Sequence, residues 1–282
     1  MQSYKILYIS FFKNDTRKEN MVTYSMFTNQ GERDKNEDSI GHVQNAFREV
    51  FLLADGLGGH GFGDVASQLI VSSMEEKILH YDKKPIKECI MDSQWELLEE
   101  QKLRHAEEKM KTTLACLTIE RDYAQFWHIG DSRIYWFHNN HYKMRTLDHS
   151  VPQMLVRNGI LKEKEIRKHP DRNRLLKVMG VAWDSPKYEE SQRIELKGKE
   201  AFLLCSDGFW EWIEEKKMEK YLKSSAAPEE WIGRMTEEIL SKGKGNNMDN
   251  FSAIAVFVCK DPNVQKIQKY SIGKGIWSWK KG

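Results

Sequence analysis

The 282-residue chain is 40% hydrophobic and 11% aromatic, enough to bury one large core or two small ones. Its 44 basic and 42 acidic residues leave a formal net charge of +2, which removes any general electrostatic case for nucleic acid as a partner. No apolar run approaches the ~18 residues that span a bilayer, and Cys89, Cys116, Cys205 and Cys259 lack the paired spacing of a metal site, so a transmembrane segment and a cysteine-bound metal are both excluded.

Taken in chain order, residues 6–12 are apolar but short, with no small-residue cleavage site. Residues 1–20 therefore read as an N-terminal extension, not a signal peptide, with Met21 as an alternative start. A strand is expected over 21–28, then a polar loop over 29–39. Residues 49–54 read as a buried strand that stops at Asp55, followed by the glycine-rich turn Gly56-Leu57-Gly58-Gly59-His60-Gly61. Val65, Ala66, Leu69, Ile70, Met74 and Ile78 recur at helical spacing, and a second, charged helix is expected over about 85–109.

The period then changes to two. Residues 113–119, 125–129, 133–137 and 142–146 read as an antiparallel meander, with Asp131 in the turn Gly130-Asp131-Ser132-Arg133. The segment 148–180 is charged, helical and punctuated by Pro152, Gly159 and Pro170, as an inserted flap would be. Strands over 192–196 and 201–205 lead to a second apolar run capped by Ser206-Asp207-Gly208. Helices near 208–222 and 228–242, a polar loop ending in Asp249-Asn250, and a last strand over 251–258 complete the pattern. Residues 261–282, with five lysines, one aspartate, Trp277 and Trp279, read as a basic tail. Strands on both sides of a helical stretch, with mostly antiparallel connections, indicate an α+β fold.

The chemistry lies in the carboxylates at strand tips: Glu37, Asp38, Asp55, Asp131, Asp207 and Asp249. Acids this dense repel one another unless a cation neutralises them or some are protonated. An all-oxygen donor set favours Mg²⁺ or Mn²⁺ over Zn²⁺. Arg33, in the same loop as Glu37 and Asp38, has the planar fork that grips two phosphate oxygens. His128 alternates with apolar neighbours and is expected to be structural. His138 and His141 flank a hairpin turn and are expected to be exposed, and Trp210 and Trp212 to pack. The pattern Gly56-x-Gly58-x-x-Gly61 also matches a dinucleotide fingerprint. Its acid would have to be Glu75 or Glu76, which lie inside a helix, and Asp55 would oppose a pyrophosphate.

Gly31-x-Arg33-x-x-Asn36-Glu37-Asp38-Ser39, Asp55-Gly56-Leu57-Gly58-Gly59-His60, Gly130-Asp131-Ser132-Arg133, Ser206-Asp207-Gly208 and Asp249-Asn250 occur in this order. Together they resemble the ordered motifs of the metal-dependent protein Ser/Thr phosphatases of type 2C (PPM type), especially the bacterial branch. The resemblance covers about 22–258. It implies a phosphatase domain over 21–260 with its flap at about 148–180, in a four-layer α/β/β/α sandwich of two mostly antiparallel sheets. It implies that Asp55 bridges two Mn²⁺ or Mg²⁺ ions. Asp207 and Asp249 would complete the first site, and the Gly56 carbonyl and Glu37 would serve the second. Asp38 would hold metal-bound waters, Asp131 with Asp207 would serve a third ion, and Arg33 would hold the phosphate. A water bridging two ions would then hydrolyse phosphoserine and phosphothreonine in proteins with no phosphoenzyme, so Cys205 and Ser206 are not nucleophiles.

Two departures stand out. Leu57 occupies the position where animal members carry a histidine, which leaves His60 or a metal-bound water to protonate the leaving oxygen. Lys111 replaces the glycine usual before Thr112-Thr113. The remaining expectations are a cytoplasmic monomer acting on phosphoproteins against an opposing Ser/Thr kinase. The rival is a catalytically silent pseudophosphatase that serves as a regulatory binding module.

Overall fold

The computed structural model describes residues 20–57 and 61–260. Two antiparallel sheets carry the fold. The first contains β1 (Asn20–Asn29), β6 (Arg133–His138), β7 (His141–Arg145), β10 (Glu200–Cys205) and β11 (Phe251–Lys260), in the order β1-β11-β10-β6-β7. The second contains β2 (Asp38–Gln44), β3 (Glu49–Asp55), β4 (Leu114–Ile119), β5 (Tyr123–Ile129) and β8 (Glu189–Glu190) in sequence order, with β9 (Ile194–Glu195) also on β5.

Side-chain alternation turns these sheets into layers. Along β10, Ala201, Leu203 and Cys205 face α5 (Glu215–Lys223) and α6 (Pro228–Gly243), whereas Phe202 and Leu204 face the other sheet. Along β3, Val50, Leu52 and Ala54 face α1 (Gly63–His80) and α2 (Ile86–Arg104), whereas Phe51 and Leu53 face inward. Three buried layers result, and four layers of elements: helix, sheet, sheet, helix. A central side chain such as Leu203 or Phe51 is fully buried, so truncation to alanine costs about 2–5 kcal/mol. The same parity that sends Phe51 and Leu53 inward sends Asp55 inward too, at the open end of the sandwich.

Several elements depart from the sequence reading. β2 was not expected as a strand, its first two residues falling in the expected loop and 40–44 having no assignment; Gly41, His42 and alternating polar residues hide its pattern, yet it pairs with β3 along its whole length. The expected meander is divided: β4 and β5 pair in one sheet, β6 and β7 in the other. The hinge is Gly130, whose φ of 99° is unstrained only without a side chain, and whose Cβ position would collide with Thr113. The helix expected near 208–222 breaks into α4 (Asp207–Trp210) and α5. The flap is less helical than expected. It holds α3 (Val151–Arg157), capped by Ser150 with Pro152 in its first turn, and a 3-10 helix over Glu163–Lys168, and then becomes irregular. The strand expected over 192–196 shrinks to β9. Cys89, Cys116 and Cys205 are buried free thiols, as read, and Cys259 is half-buried.

Candidate metal centre

Strand register brings the acidic loops together. Asp38 and Asp55 are Cα partners at the last rung of the β2–β3 ladder. Cys205, two residues before Asp207, pairs with Ala253 of β11, whose first residue follows Asp249-Asn250. Asn29 at the end of β1 pairs with Phe251, so the Arg33 loop leaves beside Asp249. Asp131 follows the Gly130 hinge, where the chain crosses between sheets.

Asn250 is the peg of this assembly. Its Oδ1 accepts from the Glu37 N–H at 2.8 Å, and its Nδ2 donates to the Gln30 and Lys35 carbonyls, each at 2.8 Å. One buried amide thus closes the whole loop from Gln30 to Glu37. Thr113 Oγ1 accepts from the Asp55 N–H at 2.9 Å and bonds Ser132 Oγ at 2.7 Å, which ties Asp55 to the Asp131 turn. Thr112 Oγ1 donates to the Asp55 carbonyl at 2.8 Å. Despite Lys111, the backbone there is regular: the Leu57 N–H donates to the Lys111 carbonyl at 2.9 Å. Gly56 lies against the Gly63 and Glu37 backbones with no room for a Cβ, and its N–H donates to the Glu37 carbonyl at 3.0 Å.

The electrostatics are those of too many acids in too little water. Burial pushes Asp38 up to about 7, reinforced by Asp207 and Asp249 and opposed by hydrogen bonds from Ser252 and Ser206. Burial pushes Asp207 up to about 6, with Asp249 adding to the rise. Asp55 is raised well above the carboxylate range by burial and then by Asp38, Asp207, Asp131 and Asp249, and Asp131 by burial and then chiefly by Asp207 and Asp148. Glu37 is raised by burial and by Asp64 and Asp249. Ser206 Oγ donates to Asp38 Oδ2 at 2.8 Å, but Asp38 Oδ1 is buried with no partner. An orphaned carboxylate oxygen amid mutually repelling, all-oxygen donors fits a hard divalent cation such as Mg²⁺ or Mn²⁺.

Arg33 lies at the mouth and is bonded bidentately to Asp249, Nε to Oδ1 at 3.0 Å and Nη2 to Oδ2 at 2.8 Å. Glu37, Asp55, Asp131, Asp207 and Asp249, the Gly56 backbone and Arg33 line one cleft of about 1280 Å³, with Asp38 outside the lining. His60 lies outside the described residues.

Behind Asp131 is a cation pair that the sequence reading missed. Arg133 is fully buried and bonds Asp148 bidentately at 2.8 and 2.7 Å, with Arg145 adding a third bond to Asp148 at 3.1 Å. The Arg133 guanidinium stacks 3.4 Å from the Trp210 ring, and Trp210 Nε1 donates to the Asp131 carbonyl at 3.0 Å. Trp210 is therefore the backing of Asp131 and does not line the cleft.

His128, His149 and Glu189 also come together, with ligand atoms within 4.8 Å of one another. The Gly130 N–H donates to His149 Nδ1 at 3.2 Å, which puts the ring proton on Nε2, 3.0 Å from Glu189 Oε1. His128 Nε2 donates to the Leu147 carbonyl at 2.9 Å. His128 is held by its bond to the Leu147 carbonyl and His149 by the Gly130 N–H, as a structural role for His128 requires. His141 is exposed as read, but His138 is half-buried and bonded to Glu200 at 2.8 Å. Two further acids escaped notice. Glu211, one helical turn after Asp207, is pushed up to about 7 by burial and by Asp207, and pairs with Arg172 at 2.6 Å. Asp64 opens α1 beside Glu37. Four-residue spacing from Asp207 was the available signal for Glu211.

Comparison with known proteins gives a consistent picture. The family model described as "Protein phosphatase 2C" matches residues 29–242. A Serine/threonine phosphatase stp of Listeria welshimeri is 30% identical over 210 residues, covering 68% of this chain and 79% of its own. The serine/threonine phosphatase PstP/Ppp of Mycobacterium tuberculosis superposes with a TM-score of 0.71 at 25% identity, over 83% of this chain and 97% of its own. A PstP catalytic domain in complex with two manganese ions superposes with a TM-score of 0.71 at 24% identity, over 86% of this chain and all of its own.

Proposed function

Since the chain belongs to the protein phosphatase 2C family and is a protein Ser/Thr phosphatase of the bacterial type, we propose that it hydrolyses phosphoserine and phosphothreonine in proteins with divalent cations held by its strand-tip acids. The observation that carries this reading is the convergence of Asp38, Asp55, Asp131 and Asp207, each pushed up by burial and by acidic neighbours, beside Asp249. The likeness to a phosphatase domain that holds two manganese ions supports the choice of cation.

In this reading Asp55, Asp207 and Asp249 would hold one ion, the Gly56 carbonyl, Asp55 and Glu37 a second, and Asp131 with Asp207 a third. Asp38 orients water in the site through its free oxygen, while Ser206 fixes its other one. Cations bound there supply Lewis-acid activation of water and neutralise charge on the phosphoryl oxygens. Arg33, now paired with Asp249, has the planar fork to hold two phosphate oxygens, and would be free to do so if Asp249 ligated a cation. Thr113 and Thr112 hold the Asp55 backbone, and Asn250 holds the Glu37 loop, which fixes the two acids' backbones in place.

Cys205 takes no part. It is fully buried on the helix-facing side of β10, and burial pushes its thiol up, out of the nucleophilic range. His60 remains a proposed donor to the leaving oxygen. The pseudophosphatase alternative gains no support, because every mapped acidic position is filled. A Ser/Thr kinase acting on the same proteins is the partner this chemistry implies. The test is release of inorganic phosphate from a phosphothreonine peptide with Mn²⁺ present or chelated. Release only with Mn²⁺ upholds the reading, and no release with Mn²⁺ overturns it.

A further inference from the structure

The cleft is lined by more than the metal centre. The segments 108–111 and 173–187 give it a basic wall of Lys109, Lys111, Arg174, Lys177 and Lys187, with a single acid, Glu108. Lys111 is paired with Glu108 at 3.1 Å, and Lys177 lies 3.5 Å from Glu189. Lys109, Arg174 and Lys187 have no ion-pair partner among the described residues. The same wall carries Leu176 and Val181, which are 53% and 42% exposed, and the half-buried Trp183.

A chain with a net charge of only +2 has little reason to gather unpaired cations beside exposed apolar side chains in one wall. On the proposed function the substrate phosphate does not account for them, because it is assigned to Arg33 and the strand-tip acids with their cations. The cleft, at about 1280 Å³, exceeds the ~300–1,000 Å³ of ordinary small-molecule sites, so it holds more than a phosphorylated side chain. Charge complementarity on this wall calls for carboxylates or further phosphates.

We propose that this wall recognises acidic sequence flanking the phosphorylated residue of the substrate. Aspartate, glutamate or a second phosphorylated residue engages Lys109, Arg174 and Lys187, and an apolar neighbour lies on Leu176, Val181 and Trp183. The inference rests on the phosphatase reading and adds the substrate class.

The test measures kcat/KM of the full chain with Mn²⁺ on three phosphothreonine peptides of equal length, with acidic, neutral or basic flanks. The expected order is acidic, neutral, basic, with about a tenfold spread, the scale of a few exposed charge contacts. The spread shrinks as salt shortens the Debye length, and it shrinks or inverts in K109E/K187E. Equal values on all three peptides, or a basic preference, overturn the inference and leave the phosphatase reading intact. Should K109E/K187E not fold, the salt series on the natural chain decides alone, a salt-independent order counting against the inference. No hydrolysis of any peptide, nor of p-nitrophenyl phosphate, overturns the phosphatase reading and this inference with it.

Discussion

Asp38 and Asp55 stand directly opposite each other at the final rung of the β2–β3 ladder. Like charges across a strand pair destabilise a sheet, and here Asp38 is buried and Asp55 half-buried. On the proposed function, divalent cations would offset this repulsion. Adding Mn²⁺ to the chelated protein is therefore expected to raise Tm by several degrees, since saturation at 100 times Kd contributes about 2.7 kcal/mol. Asp38→Asn is expected to stabilise the chelated protein and reduce the Mn²⁺ response. Differential scanning fluorimetry with and without chelator measures both.

The Arg133–Asp148 pair supports Asp131 from behind. Asp148 is lifted by burial but lowered further by Arg133 and Arg145, so it is ionised throughout the neutral range. Asp148→Ala leaves two buried guanidinium groups short of their carboxylate and is expected to cost about 3–5 kcal/mol in urea unfolding. A loss below ~1 kcal/mol would mean that the pair is not buried as described.

His149 should impose a pH dependence on stability. Burial first, and then the neighbouring His128, keep its imidazole neutral down to about 4, against 6.5 for a free histidine. Between those values the unfolded chain binds the extra proton. The contribution is complete above about 6.5 and is lost as pH falls towards 4, by up to ~3 kcal/mol. Raised acids such as Asp38 titrate in the same window with opposite sign, so the informative quantity is the difference from His149→Gln. That difference in urea midpoint should narrow steadily from pH 7 to pH 4.5.

A phosphoenzyme route is separable from direct attack by water. Cys205→Ala is expected to hold kcat/KM within about threefold while lowering stability by about 1–2 kcal/mol for the lost buried sulfur. A hundredfold loss of activity in a folded Cys205→Ala protein would require a different mechanism.

Much of the site could be read from the chain because its ligands sit where apolar runs stop. Asp55 and Asp207 interrupt buried strands, and only a function or a turn explains a carboxylate there. The rest was hidden for identifiable reasons. β2 carries Gly41 and His42 on a half-covered strand, so its alternation is blurred, and only its pairing with β3 reveals it. The meander was misassigned because period two reports strands, not which sheet receives them. Gly130 decides that, and the consequence of its positive φ is tertiary. Arg133 and Asp148 are fifteen residues apart, and nothing local marks them as a buried pair. Glu211 belongs to the site through one helical turn, and Asn250 through three hydrogen bonds to a loop more than 200 residues away.

The central claim is that Asp55, Asp207 and their neighbours share divalent cations. The most direct measurement is a manganese anomalous difference map from crystals of the full chain grown with Mn²⁺. The account predicts strong peaks between Asp55, Asp207 and Asp249 and beside Gly56, lost in crystals of Asp55→Asn. A map with no peak at these carboxylates, from protein that still releases phosphate, would contradict it.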